Sequence, residues 1–311
     1  RELIDDPDID LIDITTPNLL HAEMALAAIE AGKHVYCEKP LAPTAPAAKP
    51  MVDAAEAAGV RTMVGFNYLK NPITKLAREI IESGEIGEVF SFRGMHFEDY
   101  MLDPDTLVNQ WRFDPRSGDG AVADLGSHIL SIARYLVGPI EAVNADRQIV
   151  VPERTDTSGA PMRVEVADQM SALLRFEGGA TGTAEASWVA TGRKMAIGCE
   201  VRGTKGALAF DFERLNELHL YTIGQPRGRE GFTTILAGPA HPDFASFVPA
   251  PGHQLGFNDQ KTIEVRDLVE GIADADGPGP WPDFREAWEV QRVVDAVLAS
   301  DQSGTWIPID P

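Results

Sequence analysis

The chain of 311 residues reads as an α/β protein. A doubly wound parallel sheet comes first, followed by an α+β part on a large open, mostly antiparallel sheet. Three observations predict this. Over the first 65 or so residues, short β-branched apolar runs alternate with helical stretches of the length that βαβ units use. From about residue 88, strand-like runs are joined by glycine turns instead of helices. Two helical segments close the chain.

The elements follow in order. Asp10 to Thr15 is an apolar run with β-branched residues, a buried strand that stops at Thr16-Pro17-Asn18. Asn18 is a suitable N-cap for a helix from His21 to Ala31, which Gly32 ends. His34 to Glu38 is a second strand, closed by Pro40, and Ala47 to Ala58 a second helix, ended by Gly59. Arg61 to Phe66 is a third strand, and a helix from Ile73 to Ser83 follows it. Glu88 to Tyr100 reads as one long strand. Between Ala121 and Val137, Val122, Leu125, Ile129, Ile132, Ala133 and Leu136 recur every three or four residues, which predicts one amphipathic helix. Gly178-Gly179 and the stretch Gly203 to Gly206 each turn one strand back on the next. Helices over 259–274 and 283–300, separated by a Gly/Pro-rich linker, complete the chain.

Composition sets limits on function. Hydrophobic residues make up 44% and charged residues 24%, so a sizeable core needs no covalent staple. The net charge of −21 argues against nucleic acid and against anionic membrane surfaces as partners. Cys37 and Cys199 are the two cysteines, too few for a disulfide framework or a zinc ribbon, and they fit a reducing, cytoplasmic setting. No apolar run is long enough to span a bilayer. Neither H-E-x-x-H nor C-x-x-C occurs, so no metal is expected, and a G-x-S-x-G nucleophile turn is missing.

In open α/β sheets, ligands sit beyond the carboxyl ends of the strands. The loops there carry Thr16-Pro17-Asn18, Glu38-Lys39-Pro40 and Phe66-Asn67-Tyr68. An ammonium at Lys39 in such a cleft can polarise a substrate oxygen or relay a proton. Asp124 and His128 are four apart on the helix over 121–137, so both project from one face. There the carboxylate can orient the imidazole and favour its charged form, the pairing that a hydroxyl-deprotonating base uses. Gly118, Gly120 and Gly126 leave room for backbone or ligand to approach. Taken singly, each feature reads as readily as a surface ion pair, a loop lysine or a capped helix. Trp111 and Arg112 either face a ligand phosphate or ring, or stack on each other. His96, Asp99 and Tyr100 either line a polyol site or decorate an edge strand, and His241 and His253 lie in a loop that could touch hydroxyls.

Together the segments resemble one family. "DIDLIDITTPNLLHAEMALAAIEAGKHVYCEKPLA", "GFNYLKNP", "WRFDPRSGDGAVADLGSHILSIARYLVG" and "DFREAWEVQRVVDAVLASDQSGTWIPI" are similar to the Gfo/Idh/MocA oxidoreductases, almost end to end. The resemblance implies a Rossmann domain over 1–68 and a C-terminal substrate-binding and oligomerisation domain over 69–311. It implies an NAD- or NADP-dependent dehydrogenase of a sugar, inositol or related polyol, in a homodimer or homotetramer built through the C-terminal sheet. By position Lys39, Asp124 and His128 match the catalytic lysine, aspartate and histidine. Thr16, Pro17, Asn18 and His21 match the loop along the dinucleotide, and Glu38, Asn67, Trp111 and Arg112 match further cofactor-side positions. His96, Tyr100 and His253, with the catalytic three, are the substrate-side candidates. Such families begin with a strand, a G-x-G-x-x-G turn and a helix. This chain opens without them and without a Met, so it reads as N-terminally incomplete by about two βα units, on the order of 60 residues. Two other readings use the same scaffold: NAD-dependent glycoside hydrolysis, and a non-catalytic dinucleotide-sensing regulator.

Overall fold

The computed structural model describes residues 1–106, 110–250 and 252–310. A short helix α1 (Glu2–Asp5) leads into β1 (Leu11–Ile14), α2 (His21–Glu30), β2 (His34–Cys37), α3 (Ala45–Ala58) and β3 (Thr62–Val64). The three strands pair in parallel in the order β1-β2-β3, with Leu11 opposite His34 and Val35 opposite Thr62. All three carboxyl ends therefore open on one edge. Val35, Cys37 and Val64 are fully buried, and Ala25, Ala28 and Ala48 let α2 and α3 lie close to the sheet. Thr44 caps α3 through its hydroxyl, 3.3 Å from the Ala47 amide, and Gly59 ends it in the left-handed region at φ +66°.

Asn18 departs from its expected role. It lies in a 3₁₀ turn, Asn18–Leu20, and α2 starts at His21 with no side-chain cap. The Asn18 amide instead donates to the Ser117 carbonyl at 2.8 Å, tying the loop after β1 to a segment 99 residues away.

The rest of the chain continues with α4 (Pro72–Glu82), β4 (Val89–Phe97), α5 (Ser127–Val137) and β5 (Ile140–Gln148). A small hairpin, β6 (Glu153–Thr155) and β7 (Pro161–Arg163), precedes β8 (Gln169–Phe176), β9 (Thr181–Ser187), β10 (Ala196–Gly203), β11 (Gly206–Asp211), β12 (Glu217–Thr222) and β13 (Thr233–Leu236). Helices α6 (Phe257–Ala273) and α7 (Phe284–Ser303) follow, then β14 (Ile307–Pro308). Nine strands form one open sheet in the order β13-β12-β11-β10-β4-β9-β8-β5-β14. Its pairs are antiparallel except β4 with β9. Helix α7 packs against both β5 and α3, and so joins the two sheets.

The predicted single helix over 121–137 opens instead with a π-helical turn, Val122–Gly126, ahead of α5. The wide turn accommodates one more residue per hydrogen bond, a distortion that recurs at functional sites. Gly120 is required by close backbone approach: at φ +46°, a Cβ there would stand 2.3 Å from the Ala167 carbonyl oxygen. A Cβ on Gly126 would sit 2.9 Å from the Met170 methyl, so glycine lets this turn lie against β8 without displacing that side chain.

Candidate active site

The turns after β2 and β3, the long strand β4, the π-turn and α6 converge on a cleft of about 370 Å³. Its reactive wall holds Lys39, Asp124 and His128, with His96 and Tyr100 beside them. The Lys39 ammonium donates to Asp124 Oδ1 at 2.5 Å and to the Asp124 carbonyl at 2.9 Å. The other carboxylate oxygen accepts the Tyr100 hydroxyl at 2.9 Å and lies 3.4 Å from Arg112 Nε. Asp124 is therefore the hub. Its burial opposes a charge, but the adjacent Lys39 and Arg112 and the hydrogen bonds it accepts outweigh that and hold its carboxyl well below the usual range. Burial, then the Asp124 charge, pushes the Tyr100 hydroxyl far up, so it stays a donor.

This geometry corrects the expected partnership of Asp124 with His128. Among the described residues no hydrogen bond joins them: the carboxylate oxygens face Lys39, Tyr100 and Arg112, and Asp124 lies in the π-turn ahead of α5. His128 packs among rings instead. Tyr68 lies 4.6 Å away, His96 5.6 Å and Phe66 5.7 Å, centroid to centroid. Its Nδ1 is buried without a partner among the described residues. A second ring proton would leave that nitrogen as an unsatisfied donor, so the site favours the neutral ring. Burial first, then the charges of Lys39, His96 and Lys261, hold His128 well below the ordinary histidine range. That corrects the expected protonated form: the ring is ready to accept a proton, not already carrying one.

The remaining candidates divide. Glu38, Asn67, Arg112, His96 and Tyr100 line the cleft. His96 Nδ1 lies 3.2 Å from the Leu125 carbonyl oxygen and Nε2 3.0 Å from Glu98 Oε1. Thr16 and Pro17 form the loop after β1. His21 has no exposed surface: its ring bridges the Thr16 carbonyl at 2.9 Å and the Pro40 carbonyl at 3.1 Å, clamping that loop to the Lys39 turn. It positions the loops, and Asn18, buried and bonded to the Ser117 carbonyl, braces the same loop. Trp111 stands outside the cleft lining, stacked under Arg112 at 4.7 Å. Asp99 turns outward to Lys194 at 2.7 Å. His253 is exposed and bonds to its own turn at the Ala250 carbonyl, away from the cleft; His241 likewise bonds to Gly238. Tyr68, Glu98, Phe257 and Lys261 complete the cleft without having been foreseen. Alternation along the strand puts Glu98 on the face of His96 and Tyr100, a signal the sequence reading did not use, and Lys261 sits on a helix remote in sequence. Among the described residues no three potential metal ligands cluster.

Known proteins match this arrangement. Residues 1–66 fit the model of an oxidoreductase family with an NAD-binding Rossmann fold, and residues 74–209 that of the GFO/IDH/MocA C-terminal domain. The chain is 39% identical over 323 residues to a levoglucosan dehydrogenase of Pseudarthrobacter phenanthrenivorans, covering 99% of this chain and 82% of that protein. The chain belongs to the Gfo/Idh/MocA family. It is accordingly an oxidoreductase with the family's fold. A solved levoglucosan dehydrogenase in complex with NADH and levoglucosan superposes at a TM-score of 0.95, with 40% identity, over 100% of this chain and 83% of that one. An inositol dehydrogenase homologue from Azotobacter vinelandii, complexed with NAD⁺, superposes at 0.86 with 25% identity, over 99% and 80%. The cleft of this Gfo/Idh/MocA chain suits the nicotinamide end of a dinucleotide. Asn67 Nδ2, buried at the carboxyl end of β3, has no partner among the described residues, as a donor waiting for an external acceptor would.

Proposed function

We propose that this chain oxidises a secondary hydroxyl of a cyclic sugar, inositol or related polyol with NAD or NADP. The observation that carries the reading is the single cleft where a neutral imidazole, a lysine ammonium and an ionised aspartate meet, in a chain 39% identical to a levoglucosan dehydrogenase. Glu38, Asn67 and Arg112 would hold the nicotinamide end, beside the loop of Thr16 and Pro17. A bound nicotinamide supplies the hydride acceptor at C4. The neutral His128 takes the proton of the reacting hydroxyl. Lys39 donates a hydrogen bond to the oxygen as negative charge develops there, the preorganised stabilisation that lowers such barriers. Asp124 fixes the ammonium of Lys39 and, with Tyr100 and Arg112, presents polar groups to a neighbouring hydroxyl.

In this division of labour, residues 1–68 hold most of the cofactor and contribute Lys39, and 69–311 supply the rest of the substrate side together with Arg112. Assayed against a panel of anhydrosugars, pyranoses and inositols with NAD and NADP, the enzyme is expected to produce reduced nicotinamide with at least one sugar. Sugar release without net reduction of the cofactor would shift the reading to a glycoside hydrolase, and absence of both to a regulator.

The outward face of the nine-stranded sheet supports a second copy as partner. Phe90 and Leu173 are half exposed there, and Trp306 lies 4.1 Å under the Arg175 guanidinium along a groove of about 610 Å³. An open sheet face with apolar residues at its centre is the kind of surface that oligomers cover. Sedimentation at micromolar concentration is expected to show a dimer or tetramer that Leu173→Glu dissociates; a monomeric native protein would end this part of the proposal. Among the described residues no helix is long and apolar enough to cross a membrane. The free, buried Cys37 and Cys199 suit a cytoplasmic location.

A further inference from the structure

One corner of the cleft joins Glu38 to three groups that the reaction above does not use, Lys261, Glu264 and Tyr36. Lys261 reaches it from α6, near the far end of the chain. Its ammonium lies 3.0 Å from Glu264 Oε2 and 3.3 Å from Glu38 Oε1, with the Tyr36 hydroxyl at 3.4 Å. Glu264 has no exposed surface, and Tyr36 donates its hydroxyl to the same Glu264 oxygen at 2.8 Å. Glu38 in turn accepts from the backbone amide of Lys39 at 3.3 Å through its other oxygen. Gly65 makes the cluster possible: a Cβ there would stand 2.6 Å from the Tyr36 hydroxyl and 3.0 Å from the Glu38 carboxylate.

We infer that Lys261 is a positioning residue of the reaction: from α6 it holds Glu38, and through Glu38 the turn that presents Lys39. The inference rests on the dehydrogenase reading. A lysine serving only to neutralise the buried Glu264 would need no second carboxylate and no exposure to the cleft. Lys261 has both, with about a third of its side chain open. Glu264 and Glu38 outweigh burial and keep it charged. Its charge faces His128 together with Lys39 from the turn after β2, His96 from β4 and Tyr68 from the turn after β3; Asp124, on the preceding turn of His128's own helix, supplies the nearby negative charge. Lys261 thus acts on both reactive groups, by tether on one and by field on the other.

The test compares Lys261→Met with Lys261→Arg. The double variant Lys261→Met/Glu264→Gln removes the buried charges together, in case the single change leaves Glu264 too costly to bury. Two readouts are taken: the pH profile of kcat/KM, and the NMR titration of the His128 ring in cofactor-free protein. Losing the positive charge makes His128 easier to protonate. In Lys261→Met, the acid limb and the NMR midpoint should both rise by about one pH unit; in the double variant, where a negative charge leaves with the positive one, the rise should be smaller. In both, kcat should fall about tenfold with the sugar KM little changed. Arginine should preserve the midpoint. An unmoved His128 midpoint in folded Lys261→Met, or an undiminished kcat in either folded Met variant, overturns the inference. A midpoint that moves in a protein active on no sugar would sustain the Lys261–His128 coupling while removing the dehydrogenase reading.

Discussion

Lys39→Ala and His128→Ala are each expected to lower kcat/KM by about 10²–10⁴-fold, the span that a positioned proton-transfer group contributes, with the fold unchanged by circular dichroism. That corresponds to about 3–5 kcal/mol of transition-state stabilisation. The two losses have different origins. Without His128, the proposed acceptor of the hydroxyl proton is gone. Without Lys39, the developing alkoxide loses its ammonium donor, and Asp124 loses its shortest partner, at 2.5 Å. Arginine should not restore the function of Lys39, because a planar fork cannot replace a compact ammonium that meets both the carboxylate and the carbonyl of one residue. The pH profile adds a sign. Since burial and nearby positive charge depress His128, native kcat/KM should stay level as pH falls through 6.5 and drop only below it. An acid limb at or above pH 7, or variants with undiminished rates on the sugar, would remove His128 and Lys39 from these roles.

The parallel strands and their order of use are legible because each is a short apolar run closed by a turn that breaks helix and sheet alike, Thr16-Pro17 after the first and Lys39-Pro40 after the second. Lys39 is legible as a residue just beyond a strand end, but taken singly it, Asp124 and His128 read equally well as surface groups, and only the family resemblance joined them. Partnership is harder to read than position. Asp124 belongs to Lys39, Tyr100 and Arg112, which lie 85, 24 and 12 residues away. No periodicity links positions so separated. The spacing of four that appeared to pair Asp124 with His128 presumes a regular α-helix, and the π-turn over 122–126 changes the directions of the side chains within it. Lys261 and Glu264 fail in the opposite way. Three apart on a helix, they look like a surface ion pair, and only the packing of α6 against the strand ends turns them inward.

Asp168→Ala is expected to have the largest effect on stability, about 3–5 kcal/mol, as when one partner of a buried ion pair is removed. Asp168 has no exposed surface and accepts four hydrogen bonds: the Val150 and Val151 amides at 2.7 and 2.8 Å, Arg154 Nη2 at 2.9 Å and Trp188 Nε1 at 2.6 Å. Arg154 is itself almost fully buried, donates to the Met101 carbonyl at 2.7 Å and lies over Phe113 at 4.9 Å. Truncating Asp168 strands the guanidinium in the core and loosens the segment that carries Tyr100 and Arg112 to the cleft. Urea unfolding should register the loss, and the double variant Asp168→Ala/Arg154→Met should recover part of it, because no unpaired charge then remains. The same loosening should lower kcat/KM below native at temperatures where the variant is still folded, since the Tyr100 hydrogen bond to Asp124 depends on that segment. An Asp168→Ala protein with native unfolding midpoint would mean that Arg154 finds water or another acceptor, and the network would then be dispensable to both fold and site.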